Sequence, residues 1–468
     1  MPSPDETAIV LPAATPHTAM LPTITALQDA LDKGETTSVA LTQAALARIA
    51  DPDGEGARTF TAVWEEQALA AARASDILRA AGLARSPIDG LPVSIKDLFD
   101  VAGHVTRAGS AVRRDAEPAR RHADPVRRLA QAGAVLIGHT NMTEFAFSGL
   151  GLNPHYGTPS SPWDRANRRI PGGSSSGAGV SVVDGMAAAA LGTDTGGSVR
   201  IPSAFCGLTG FKPTAARIPS GGAFPLSASL DSTGPLAASV SCCATLDGIL
   251  SDDARRAPAA PPPSRLRLAI TNSLVLDGAD DVVRGTFEAA IERLRAAGVI
   301  IDTLEIPEFN ELAHINRKGG LVCADAYAVH RKALDTQFDQ YDPRVASRIL
   351  RGRDIDAADY IELLARRAQW IAAVEARLRD HDALLMPTVP VIAPTIASLE
   401  ASDEAYFAAN GLILRNPTLI NFLNGCALSL PCHTPGEAPV GLMVAGPAHA
   451  DARILDVGLA IEQALAGR

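Results

Sequence analysis

Residues 172–200 read GGSSSGAGVSVVDGMAAAALGTDTGGSVR, which places Ser174 and Ser198 24 positions apart, each behind a pair of glycines. Few folds can carry that pattern twice inside regular structure. Glycine loses the most backbone entropy on ordering, and serine competes for backbone hydrogen bonds. Both clusters are therefore expected to be tight turns. Such turns let bare N–H groups converge on a small anion beside an exposed hydroxyl.

The second cluster, Thr195-Gly196-Gly197-Ser198, follows the apolar run 186–191 and precedes a helix start with Pro202 in its first turn. That order places Ser198 at a strand-to-helix turn, where its hydroxyl faces a cleft. An isolated Gly-Gly-Ser would read as a helix N-cap after a flexible turn. Two coordinated clusters argue against that reading.

A serine hydroxyl is a weak nucleophile until a base takes its proton. Only five of the 42 basic residues are lysine, so where a mere positive charge is wanted this chain uses arginine. Lys96 stands inside LPVSIKDLFDV (91–101), an apolar segment with strand character. Burial strips hydration from the charged amine and lowers its pKa, so the neutral form can accept a proton near pH 7, which arginine cannot do. The plain alternative is a lysine that snorkels or pairs with Asp97.

With these residues in place, the chain resembles the amidase signature family of serine hydrolases. The resemblance rests on GLPVSIKDLFDV (90–101), GAVLIGHTNMTEFAF (133–147), PGGSSSGAG (171–179) and GTDTGGSVRIPSAFCGLTGFKPT (192–214), with weaker similarity at 384–390 and 415–431. It implies Ser198 as nucleophile, Ser174 as a bridging serine behind a cis peptide bond, and Lys96 as general base. Thr195, Gly196 and Gly197 would supply the oxyanion hole, with Ser175, Asp194 and Arg200 as supports. Ser176 stands where many members have glycine. Gly173–Gly177 also fits the G-x-S-x-G elbow centred on Ser175, but a hydrophobic strand should precede an elbow. The preceding residues 163–172 are polar and end in Pro-Gly.

At 468 residues, 47% hydrophobic and 20% charged, the chain can bury a sizeable core. A net charge of −10 argues against nonspecific nucleic-acid binding. Six cysteines without CxxC read as reduced, buried thiols of a cytoplasmic protein, and ten scattered histidines form no metal motif. No metal or cofactor is expected. No apolar run approaches the roughly 18 residues of a membrane span, and the N-terminus lacks a signal-peptide pattern. The expected partners are a small-molecule amide and, optionally, a second copy of the chain, with no nucleic acid and no membrane.

Helical periodicity at about 37–49, 64–83, 124–132, 280–297, 356–380 and 451–465 alternates with strand-like runs at about 92–96, 134–138, 266–270, 299–306, 383–387, 427–431 and 440–445. The alternation predicts an α/β fold; the resemblance implies three α/β/α layers around a large mixed sheet. Residues 1–25 are expected to be a flexible arm and 26–468 a single domain, with its signature core at about 80–245 and a proline-rich connector at 257–265.

The substrate is less constrained. The expectation is a free-standing amidase releasing ammonia or an amine from a carboxamide. The alternatives are the glutamine-hydrolysing subunit of a tRNA-dependent amidotransferase and a non-catalytic binding protein on the same scaffold. By position in the resemblance, Met142, Gly149 and Asn421 are expected to touch substrate, within segments 141–145, 147–150 and the stretch holding Arg415 and Asn416. Arg107 reads as either a partner for a substrate carboxylate or a surface salt bridge.

Overall fold

The computed structural model describes residues 21–253 and 257–467. In chain order its strands are β1 (Phe60–Val63), β2 (Pro92–Lys96), β3 (Val135–Thr140), β4 (Ala189–Asp194), β5 (Thr209–Lys212), β6 (Ser232–Ala237), β7 (Arg267–Thr271), β8 (Ile300–Leu304), β9 (Ala383–Pro387), β10 (Cys426–Pro431) and β11 (Gly441–Gly446). They form one mixed sheet in the order β1-β3-β2-β4-β6-β5-β10-β11-β9-β7-β8. β2 runs parallel to β3 and β4, and β7 parallel to β8 and β9.

The layering follows from strand geometry, because successive side chains point to opposite faces. In β10, Cys426, Leu428 and Leu430 enter one hydrophobic core and Ala427 another. Leu442 and Val444 of β11 divide from Met443 and Ala445 in the same way. Leu191 of β4 joins the first core, whereas Ala190 packs with Ala178, Val180 and Val182 of the helix Ser176–Val183. Strands apolar on both faces need helices on both, which is the expected three-layer α/β/α arrangement.

The strands at 92–96 and 383–387 and the six expected helices appear within a few residues of their anticipated bounds. β6 escaped the pattern because Gly234 and Pro235 interrupt it, although Pro235 pairs opposite Leu191. The helix Asp403–Phe422 also escaped, being buried at many positions with Pro417 inside it, which blurs its period. Thr23 caps the helix Ile24–Asp32, whose Ile24 is already buried. Residues 1–20 of the expected arm lie outside the described residues. The sheet crosses the proline-rich connector, since β5 pairs with β10.

Candidate active site

Parallel pairing of β2 with β4 brings two carboxyl ends to one edge of the sheet, where open α/β sheets place their sites. Lys96 ends β2, and Asp194 ends β4. Lys96 has no solvent exposure, and its Nζ lies 2.8 Å from Ser174 Oγ and 2.8 Å from Thr193 Oγ1. Burial lowers the lysine to about 7, against the opposing pull of Asp231 and Asp194. An ion pair with Asp97 is not made. That carboxylate instead accepts the Thr61 hydroxyl at 2.7 Å and the Arg107 N–H at 2.9 Å.

Ser174 is fully buried and follows a cis Gly173–Ser174 peptide. Its carbonyl accepts the Thr143 N–H at 3.1 Å, and the Ser175 N–H reaches the Ser198 carbonyl at 3.3 Å. These backbone bonds tie the two serine turns together. Ser198 sits between β4 and the helix Arg200–Cys206. The N-cap of that helix is Val199, with no side-chain cap bond, so Ser198 is not a capping serine. Among the described residues nothing hydrogen-bonds the Ser198 hydroxyl, so the lysine–serine link is assembled and the serine–serine link is open.

Asp194 organises the second turn. Its carboxylate accepts the N–H groups of Gly197 (2.9 Å), Val199 (3.2 Å) and Arg200 (3.3 Å). It also pairs with the fully buried Arg200 guanidinium at 2.8 Å. Burial opposes the charge, but Arg200 and Lys212 outweigh it and hold the carboxyl well below the usual range. One expectation is thereby corrected. The Gly197 N–H already serves Asp194 and is not a free oxyanion donor, whereas the N–H groups of Thr195, Gly196 and Ser198 have no partner among the described residues. Ser175 Oγ donates to the Thr193 carbonyl at 3.4 Å, a supporting contact, and no strand precedes it as an elbow would require.

The expected substrate contacts are each engaged with other protein groups. Met142 is fully buried in the core, and its carbonyl accepts Asn153 Nδ2 at 2.7 Å. Asn421 serves the Asp194–Arg200 pair, accepting from Arg200 Nη2 at 2.6 Å and donating to Asp194 Oδ1 at 2.9 Å. Arg415 and Asn416 bind the Val275 carbonyl at 3.0 Å each. Gly149 is closely packed. Its carbonyl takes the Gly173 N–H at 2.9 Å, and an added Cβ would stand 2.9 Å from Leu414 Cδ2. Among the described residues Arg107 makes no ion pair, so the salt-bridge reading fails for it.

Three residues escaped the sequence reading. Thr193 and Asp231 help line a cavity of about 480 Å³, together with Thr195, Phe224 and Asn424. Thr193 follows strand alternation from Thr195 and was open to detection; Asp231 comes from a distant loop and carried no signal. The third is Arg348, whose guanidinium stacks 4.3 Å from the Phe147 ring and donates to the Phe147 carbonyl.

A family model described as Amidase matches residues 40–455. The chain belongs to the amidase signature family. This amidase-family chain is 37% identical over 404 residues to a 2-amino-5-chloromuconic acid deaminase of Comamonas testosteroni, covering 85% of this chain and 87% of that one. It is 33% identical to one of the subunits of the glutamyl-tRNA(Gln) amidotransferase of Chloroflexus aggregans, covering 94% and 96% of the two chains. A crystal structure described as an amidase superposes with a TM-score of 0.84 at 32% identity, covering 94% of this chain and 99% of that one. The chain is a hydrolase of that family. No described helix of this one is long and apolar enough to cross a membrane.

Proposed function

We propose that this chain hydrolyses a carboxamide C–N bond to a carboxylate and ammonia or an amine through an acyl-enzyme on Ser198. The observation that carries the reading is a fully buried amine held near 7 and placed 2.8 Å from Ser174 Oγ. Neutral Lys96 draws the Ser174 proton while Ser174 takes that of Ser198, whose Oγ attacks the amide carbon. The N–H groups of Gly196 and Ser198 receive the developing oxyanion. Reversal of the relay returns a proton to the departing nitrogen, and water then releases the acyl group.

The proposed substrate carries a carboxylate. Arg348 is largely desolvated, which lowers its pKa, and no carboxylate pairs with it among the described residues. It anchors on Phe147, two residues before Gly149, whose carbonyl holds the Gly173 N–H. An arginine fork without a counter-ion suits a carboxylate. The acid named in the Comamonas testosteroni relative is consistent with this chemistry.

Likeness over 94% of the chain to the Chloroflexus aggregans amidotransferase favours glutamine hydrolysis within a complex as a second reading. The test is ammonia release by the isolated chain from paired neutral and carboxylated amides, with Ser198→Ala as control. Turnover that prefers carboxylated amides, vanishes in the control and loses its preference in Arg348→Ala supports the proposal. Turnover only with added subunits supports the second reading, and binding without turnover marks a binding protein.

A further inference from the structure

The wall of the cavity holds an anion that the relay does not use. Asp231 Oδ1 accepts the Thr195 hydroxyl at 2.5 Å, and the N–H groups of Leu226 (3.0 Å) and Ser227 (3.1 Å) bind the same carboxylate. Asp231, Thr193 and Thr195 share one stretch of cavity wall, and Thr193 is the residue whose hydroxyl holds Lys96.

The other titratable groups around Lys96 are Asp194, Lys212, Asp97 and His139, and of these burial raises Asp97 to about 7, into the range of Lys96 itself. Asp194, at the end of β4, is paired with Arg200. Lys212 of β5 lies toward Asp194 and donates to the carbonyls of Pro213 (2.8 Å) and Gly425 (2.6 Å). Asp97, next to Lys96, turns to Thr61 and the Arg107 N–H, and His139 of β3 lies 3.3 Å from it. Of the two carboxylates that act on Lys96, Asp194 is paired with Arg200, whereas Asp231 has no arginine or lysine bonded to it among the described residues.

We propose that Asp231 is a positioning residue for the Ser198–Ser174–Lys96 relay, anchoring Thr195 ahead of the Gly196–Ser198 turn and setting an unneutralised negative charge opposite Lys96. This role rests on the relay proposed above. The two effects have separate signatures. Burial raises Asp231 to about 6 and lowers Lys96 to about 7, so the pair titrates over one pH range. A neighbouring negative charge favours the protonated amine, so its removal lowers the lysine's proton affinity and carries the acid limb of acylation to lower pH. Loss of the hydroxyl anchor loosens the turn that carries the nucleophile, which lowers the acylation rate, and it disturbs the titration only through Asp231, whose carboxyl the Thr195 hydroxyl holds down.

The experiment follows single-turnover acylation by an activated carboxylated amide across pH, with the full chain. Asp231→Asn keeps the size of the side chain and an acceptor for Thr195, and should move the acid limb down by about half a pH unit or more. Thr195→Val should lower the plateau acylation rate by tenfold to a hundredfold, on the order expected for a misaimed nucleophile, with the limb displaced less than in Asp231→Asn. An Asp231→Asn limb at the wild-type pH overturns the electrostatic role, and a wild-type plateau rate in Thr195→Val overturns the anchoring role. Should Asp231→Asn fail to fold, Asp231→Glu keeps the charge and should keep the limb while losing plateau rate; a displaced limb there overturns the electrostatic role equally. Full acylation by Lys96→Arg in the same assay would instead sink the relay itself, independently of any Asp231 result.

Discussion

Replacing Lys96 by arginine separates a proton acceptor from a mere positive charge. At about 7, against 10.5 in water, the buried amine is roughly half neutral at pH 7, whereas an unperturbed lysine is neutral in about one molecule in 3,000. Arginine at that position would be neutral in fewer than about one in 10⁵. Lys96→Arg should therefore lower kcat/KM by at least about a thousandfold, nearly as far as Lys96→Met. The wild-type rate should rise with pH through about 7 and then level off. Stability should move the other way. A pKa held about 3.5 units low corresponds to about 5 kcal/mol against the charged form in the folded protein. The unfolded chain binds the extra proton between pH 7 and 10.5, so this handicap is complete below 7 and is relieved as pH rises through that window. Lys96→Met loses the bonds to Ser174 and Thr193 but sheds the handicap, so its Tm at pH 6 should equal or exceed that of the wild type, with the gap shrinking toward pH 10.5. Ammonia release measured across pH, beside thermal melts of the same samples, checks both halves. An arginine variant with more than about a tenth of wild-type kcat/KM, or a methionine variant that is inactive because it melts early, would refute the reasoning.

Gly196 and Gly197 should respond differently to alanine. Gly197 has φ +125° and an added Cβ would stand 2.6 Å from Ile201 Cδ1 and Pro417 Cβ, so Gly197→Ala should lose about 1 to 3 kcal/mol in urea unfolding. The nearest atom to a Cβ on Gly196 is 3.3 Å away, so Gly196→Ala should keep its Tm and lower kcat more than it raises KM, as steady-state kinetics will read. Asp194→Asn strips the fully buried Arg200 of its counter-ion and should lower stability by about 3 to 5 kcal/mol in denaturant titration. Because the Asp194 carboxyl is depressed in the fold, its contribution is present above about pH 4 and is lost as pH falls below that value.

The residues of the proposed relay were legible because their chemistry is local. Glycine pairs before Ser174 and Ser198 force turns wherever the chain goes, and a lysine inside an apolar strand carries its own desolvation. Element order was legible for the same reason, since strands such as β2 and β9 announce themselves through short apolar runs. β6 did not, because only pairing with β4 makes a strand of a segment containing Gly234 and Pro235. The surroundings of the relay belong to tertiary structure alone. Whether Asn421 meets a substrate or the Asp194–Arg200 pair depends on a contact across more than two hundred residues of chain. The same holds for Asp231, which meets Thr195 from a loop 36 residues away, and for Arg348, set on Phe147 by a helix from the second half. Local sequence states what a residue can do, and packing decides which groups it does it to, because burial and distance set every charge and hydrogen bond in the site.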